Sequence, residues 1–142
     1  SREGVILVIY MLDTNICSYI IRNAPEGVKI KLKKVEQEHE LALSSIVVSE
    51  LFYGAYRKNS NKLIKLIKDF TENFMIYNFD AKAAETYGKI RANLERGGNV
   101  IGAYDLQIAA HAVSLDAVLV TNNEREFNRV KGLRIENWVG RG

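Results

Sequence analysis

The chain has 142 residues, enough for one domain with a core of its own. Hydrophobic residues are 47% and charged residues 26%, with one proline and ten glycines, which excludes a disordered, collagen-like or linker-rich chain. The net charge of +3 is too small to argue nucleic-acid binding by itself, and the single Cys17 excludes an internal disulfide or a cysteine-rich zinc site.

Val5–Leu12 is a continuous apolar run, too short to cross a bilayer, and reads as a buried strand. It carries no signal-peptide cleavage pattern, and a reducing cytoplasm is the expected compartment. Met11 lies inside it, so residues 1–10 read as an upstream extension or expression remnant leading into the strand. Asp13-Thr14-Asn15 supplies helix N-cap residue types before a short helix, Ile16–Arg22. Glu26–Gln37 follows as a second helix, Leu41–Leu43 as a strand, and Ser44–Lys58 as a capped helix. Ser60–Asn73 is helical, with Leu63, Ile64, Ile67 and Phe70 at 3–4 spacing. Met75–Phe79 is a strand, and Asp80 caps a long helix, Ala81–Arg96. Gly97-Gly98-Asn99 breaks it. Ala103–Leu115 is Ala-rich and helical, Ala117–Val120 a buried strand, Arg125–Val130 a helical turn and Leu133–Glu136 a last strand. This alternation predicts an α/β fold, a mainly parallel sheet with helices on both faces. Such sheets place chemistry at the carboxyl ends of their strands, where Asp13-Thr14-Asn15 and Thr121-Asn122-Asn123 fall.

Four acids stand out of place. Asp13 ends a buried strand, although a plain N-cap would look the same. Glu50 shares a helix face with Ile46 and Tyr53, which predicts apolar surroundings; a boundary Glu reaching water is the alternative. Asp105 shares a face with Ala109 and Ala112 near a helix start, where the macrodipole favours a negative charge. Glu126 lies next to Phe127, with Glu124 as a competing acid. Two unit charges about 5 Å apart repel by roughly 3 kcal/mol at an effective dielectric near 20. If the fold gathers these acids, protonation or a divalent cation must compensate them. Carboxylates without His or Cys suit Mg²⁺ or Mn²⁺, and such a centre suits phosphodiester hydrolysis.

The basic residues cluster. Lys29, Lys31, Lys33 and Lys34 form one group, Lys58, Lys62, Lys65 and Lys68 a second, and Arg125, Arg129, Lys131 and Arg134 a third. Each reads as a solvated face or as a surface that tracks a polyanion; Arg125, Arg129 and Lys131 are the candidates for RNA binding. His111, in an Ala-rich stripe, reads as a core histidine, and Cys17 lacks a partner for nucleophilic catalysis.

Four segments in this order resemble the PIN-domain nucleases, and among them the VapC toxins of VapBC toxin–antitoxin modules. They are Met11-Leu12-Asp13-Thr14-Asn15, the Glu50 helix, Ile101-Gly102-Ala103-Tyr104-Asp105 with its helix, and Thr121-Asn122-Asn123-Glu124-Arg125-Glu126-Phe127. The resemblance implies a PIN-like three-layer α/β/α domain over residues 11–142, with a sheet of four to five strands. It implies a Mg²⁺- or Mn²⁺-dependent endoribonuclease in which Asp13, Glu50 and Asp105 are the metal-site acids. Glu126 carries over as a fourth catalytic acid, where many members have Asp. Thr121 and Asn15 carry over as water-orienting or second-layer groups. Tyr104 stands where close relatives often have Asn. A VapB-type antitoxin, a homodimer and an RNA substrate, with the tRNA anticodon region leading, are implied as well. Two other readings stay open. One is a non-catalytic PIN-like RNA-binding module. The other is a phosphotransfer domain with Asp13 as nucleophile, although Asn15 stands where such enzymes usually place a second Asp. No Gly-x-Gly-x-x-Gly follows the first strand, so a dinucleotide fold lacks its phosphate turn.

Overall fold

Among the described residues, the short, mostly apolar segments become five parallel strands, and seven helices run between them. A computed structural model describes residues 6–23 and 25–140. The order is β1 (Ile9–Leu12), α1 (Thr14–Ile21), α2 (Glu26–Glu38), β2 (Glu40–Ser44), α3 (Ser45–Arg57), α4 (Asn61–Thr71), β3 (Met75–Tyr77), α5 (Ala81–Arg96), α6 (Ala103–Ser114), β4 (Val118–Val120), α7 (Glu124–Phe127) and β5 (Arg134–Glu136). The sheet order is β3-β2-β1-β4-β5, with every neighbouring pair parallel. This is the three-layer α/β/α arrangement that the alternation predicts.

The first strand starts later than the apolar run suggests. Val5 lies outside the described residues, and 6–8 precede the ladder, while Ile9 and Tyr10 already belong to β1. Pairing explains the limit: β1 is central, and its register against β2 and β4 begins at Ile9 and Tyr10. Caps set the helix starts. Ser44, Ser60 and Asp80 each accept a backbone N–H from the first turn of α3, α4 and α5.

The core joins Met11, Leu12, Leu43, Leu119 and Val120 from the sheet to Ile16, Val47, Leu51, Ile108 and Ala109 from the helices. His111 behaves as a core histidine. It is buried, its Nδ1 lies 2.8 Å from Ser44 Oγ, and its ring meets Phe79 edge-on. Burial pulls its pKa down, so it stays neutral. Strand order matters most for function. The chain leaves β1 toward β2 on one side, while β4 lies on the other, so the β1/β4 boundary is a switch point. Asp13 and Thr121 stand at the carboxyl ends of those two strands.

Candidate active site

Asp13 directly follows β1, and its N–H donates to Val120 O of β4 at 3.0 Å. Its side chain caps α1, with Oδ1 accepting from Ile16 N at 2.9 Å. The capping role and the site role therefore coincide in one residue. Asp13 is 7% exposed, and burial raises its pKa. The Thr121 hydroxyl and the backbone N–H groups of Ile16 and Asn15 pull it back down. Thr121 is fully buried at the end of β4, where its Oγ1 accepts from Asn123 N at 2.9 Å. Asn15 itself is exposed.

Asp105 sits in the first turn of α6. Its pKa is pushed up to about 7, first by burial, then by a side-chain hydrogen bond with Glu126 and the charges of Glu126 and Asp13. Glu126 reaches the same helix start, since its Oε1 accepts from Gly102 N at 3.3 Å. Phe127, 2% exposed, anchors the short α7 that carries it. Asp13, Asp105 and Glu126 thus come within one another's field, from three elements distant in sequence.

Glu50 stands apart. It is exposed, not set among apolar side chains as its helix face suggests. The buried face of α3 is Val47, Leu51 and Ala55, and Glu50 sits one residue before Leu51, rotated away from that face. It borders a groove of about 220 Å³ that also runs past Thr14, Ile21, Gly54 and Leu63. Gly54 opens this groove, as a Cβ there would meet nothing within 4 Å.

Tyr104 lies between the two regions. Its hydroxyl hydrogen-bonds Thr14 Oγ1, which ties α6 to α1. Its pKa is pushed up to about 12 by burial and by the charges of Glu50 and Asp13, so the phenol stays neutral. The Tyr104–Thr14 link had no sequence signal, because the partners are 90 residues apart. Cys17 is buried beside Asp13, and burial drives its thiol pKa well above the ordinary value, which excludes a thiolate nucleophile.

A metal fits this donor set in chemistry. The oxygens are hard carboxylate and hydroxyl donors, and Asp105, its pKa raised first by burial and then by Glu126 and Asp13, lies beside two further acids. Among the described residues, no three acid, His or Cys side chains are spaced to grip an ion in this arrangement.

The family model described as "PIN domain" matches residues 10–133, most of the chain. The chain belongs to the PIN-domain family. It is 42% identical to "Ribonuclease VapC2" of Rickettsia felis over 92% of this chain and 98% of that protein. It is 40% identical to the "tRNA(fMet)-specific endonuclease VapC" of Shigella flexneri over 91% and 97%. Among solved structures it resembles the Rickettsia felis VapBC2 complex bound to a promoter DNA fragment. There the TM-score is 0.88 at 41% identity, covering 92% of this chain and 99% of that one. The VapC-type resemblance therefore extends over nearly the whole PIN domain. Its basic residues divide by position. Arg125 is exposed on α7, Arg129 donates to Val100 O at 3.0 Å, and Lys131 is exposed just beyond. Arg134 lies at the start of β5, paired with Asp116 at 3.2 Å, away from the acids. Among the described residues no helix is long and apolar enough to cross a membrane.

Proposed function

We propose that this PIN domain is a divalent-metal-dependent endoribonuclease, the toxin half of a toxin–antitoxin pair, and that it cuts RNA in a single-stranded loop. The observation that carries the reading is the convergence of Asp13, at the end of β1, with Asp105 and Glu126 at the start of α6; burial first, then Glu126 and Asp13, push the Asp105 pKa up to about 7. A cation satisfies that cluster without the proton. Asp13 and Asp105 are the acids that would hold Mg²⁺ or Mn²⁺, and Glu50, carried over from the family resemblance, would have to move in from α3 to join them. When bound, the ion polarises the scissile phosphate and lowers the pKa of water. Asp13 is held in place by its cap to Ile16, so its direction is fixed before substrate arrives. Glu126, hydrogen-bonded to Asp105, would accept a proton from the attacking water. Thr121 offers a hydroxyl beside Asp13 to orient that water. Water attacks phosphorus as its proton passes to Glu126, the P–O bond to the leaving oxygen breaks, and that oxygen takes a proton from solvent.

The relatives' names support RNA as substrate, and the tRNA(fMet)-specific relative supports a tRNA; the anticodon region is the proposed place of the cut. The antitoxin reading draws support from the groove beside Glu50. Its apolar floor of Ile21, Leu51, Leu63 and Ile67 suits an apolar segment, and its rim leads toward the acids. A partner Arg reaching from that groove would pair bidentately with the carboxylates. A homodimer of toxins completes the proposed assembly. The test is incubation with total RNA in Mg²⁺ or Mn²⁺ and in chelator, with the new ends mapped. Discrete metal-dependent cuts are expected. Full activity after exhaustive chelation would remove the metal from the mechanism.

A further inference from the structure

A second cavity, of about 380 Å³, opens beside the turn that joins α5 to α6. Ile90, Asn93, Leu94 and Asn99 line it from α5 and the turn, and Arg129 and Lys131 line it from the segment after α7. No acidic residue lines it. Asn93 in its wall accepts from the Arg96 guanidinium at Oδ1. Among the described residues, none of the ion pairs involves Arg96, Arg129 or Lys131. The site is therefore concave and positively charged, with an apolar floor and two amide side chains at its wall. A guanidinium and an ammonium without acid partners attract a phosphate, and Ile90 and Leu94 offer apolar surface to the adjoining sugar or base.

Arg129 is held in register. Its Nη1 donates to Val100 O at 3.0 Å, and its backbone N–H donates to Glu126 O at 3.2 Å. Glu126 reaches Gly102, two residues beyond Val100. The cavity and the acid centre therefore lie along the same two chain segments, 99–105 and 126–131. A strand that leaves the acids along these segments meets Arg129 and Lys131.

We propose that this cavity is a phosphate-binding subsite for the RNA strand, in which Arg129 and Lys131 hold a backbone phosphate outside the scissile one. The identity of the ligand as substrate rests on the endoribonuclease reading, whereas the binding itself does not. The test is fluorescence anisotropy of a labelled single-stranded RNA oligonucleotide in chelator, where nothing is cut, over a series of salt concentrations. Wild type is compared with Arg129→Gln/Lys131→Gln and with Lys62→Gln/Lys68→Gln, which removes the same charge from α4. Lys131→Gln alone keeps the Arg129 bond to Val100, and thermal midpoints of all variants check the fold.

The expected result is about tenfold weaker binding in the Arg129/Lys131 variant, with less than a twofold change in the α4 variant. The slope of log affinity against log salt should fall by about 0.7, the contribution of one single-strand phosphate contact. Lys131→Gln should show about half that fall. In Mn²⁺, the KM for cleavage should rise and kcat hold. Equal losses in both double variants, no loss, or no RNA binding by wild type would overturn the subsite. RNA that binds through Arg129 and Lys131 but is never cut would retain the subsite and remove the nuclease. RNA that is cut with affinity and KM unchanged in the variants would do the reverse.

Discussion

Asp105 holds a proton near neutrality because burial strips it of water and Glu126 and Asp13 add negative charge. An unfolded Asp titrates near pH 4. Between that value and about 7, the folded, metal-free protein keeps a proton that the unfolded chain has released. The stability this group contributes is full below about pH 4 and falls as the pH rises toward 7. Asp105→Asn should therefore flatten the decline between about pH 4 and 7 in urea denaturation with chelator, and should be more stable than wild type above pH 7. Identical pH profiles for the two proteins would show that Asp105 does not carry the shift. Tyr104 makes a different contribution. Its neutral hydroxyl bonds Thr14 across α6 and α1, so Tyr104→Phe should cost about 0.5–1.5 kcal/mol in the same assay.

Elements explain why these side chains meet. The four-residue α7 is far too short to persist alone, and Phe127 is what fixes it to the core. Phe127→Ala should cost about 3–5 kcal/mol by denaturation and release Glu126 from Gly102. A loss below about 1 kcal/mol would mean that α7 is held elsewhere. Ser44 plays a comparable part in α3. It accepts the cap bond from Ile46 N and contacts buried His111, so Ser44→Ala should cost about 1–3 kcal/mol. Most of the elements were legible in the sequence: capping residues announce α1, α3 and α5, a 3–4 apolar spacing announces α4, and short apolar runs announce β1 and β4. Asp13 and Asp105 were legible too, as acids among residues otherwise fit for burial. Glu50 was misplaced, because a shared helix face with Ile46 does not say which face meets the sheet. The Tyr104–Thr14 link and the cavity at Arg129 were invisible, since both arise only once α6 and α7 dock near their partners.

At the scale of the whole molecule, the order β3-β2-β1-β4-β5 brings Asp13 and Thr121 to one switch point and leaves α6 and α7 to deliver Asp105 and Glu126. The strand ends build an acid centre, and the divalent cation proposed for it would offset its charge. Mn²⁺ should accordingly raise the thermal midpoint, by a stabilisation of about 2.7 kcal/mol at a hundred times Kd. The same ion should weaken an antitoxin whose tail fills the acid pocket, as should Glu50→Gln; calorimetry that finds neither effect would place inhibition in cover of the RNA path. The most direct measurement compares wild type with Asp105→Asn on total RNA in Mn²⁺, at equal folded concentration, with every new end sequenced. Wild type should make discrete cuts in single-stranded loops, absent from Asp105→Asn and from wild type in chelator. Cuts of equal yield at the same positions in Asp105→Asn would contradict the proposed function.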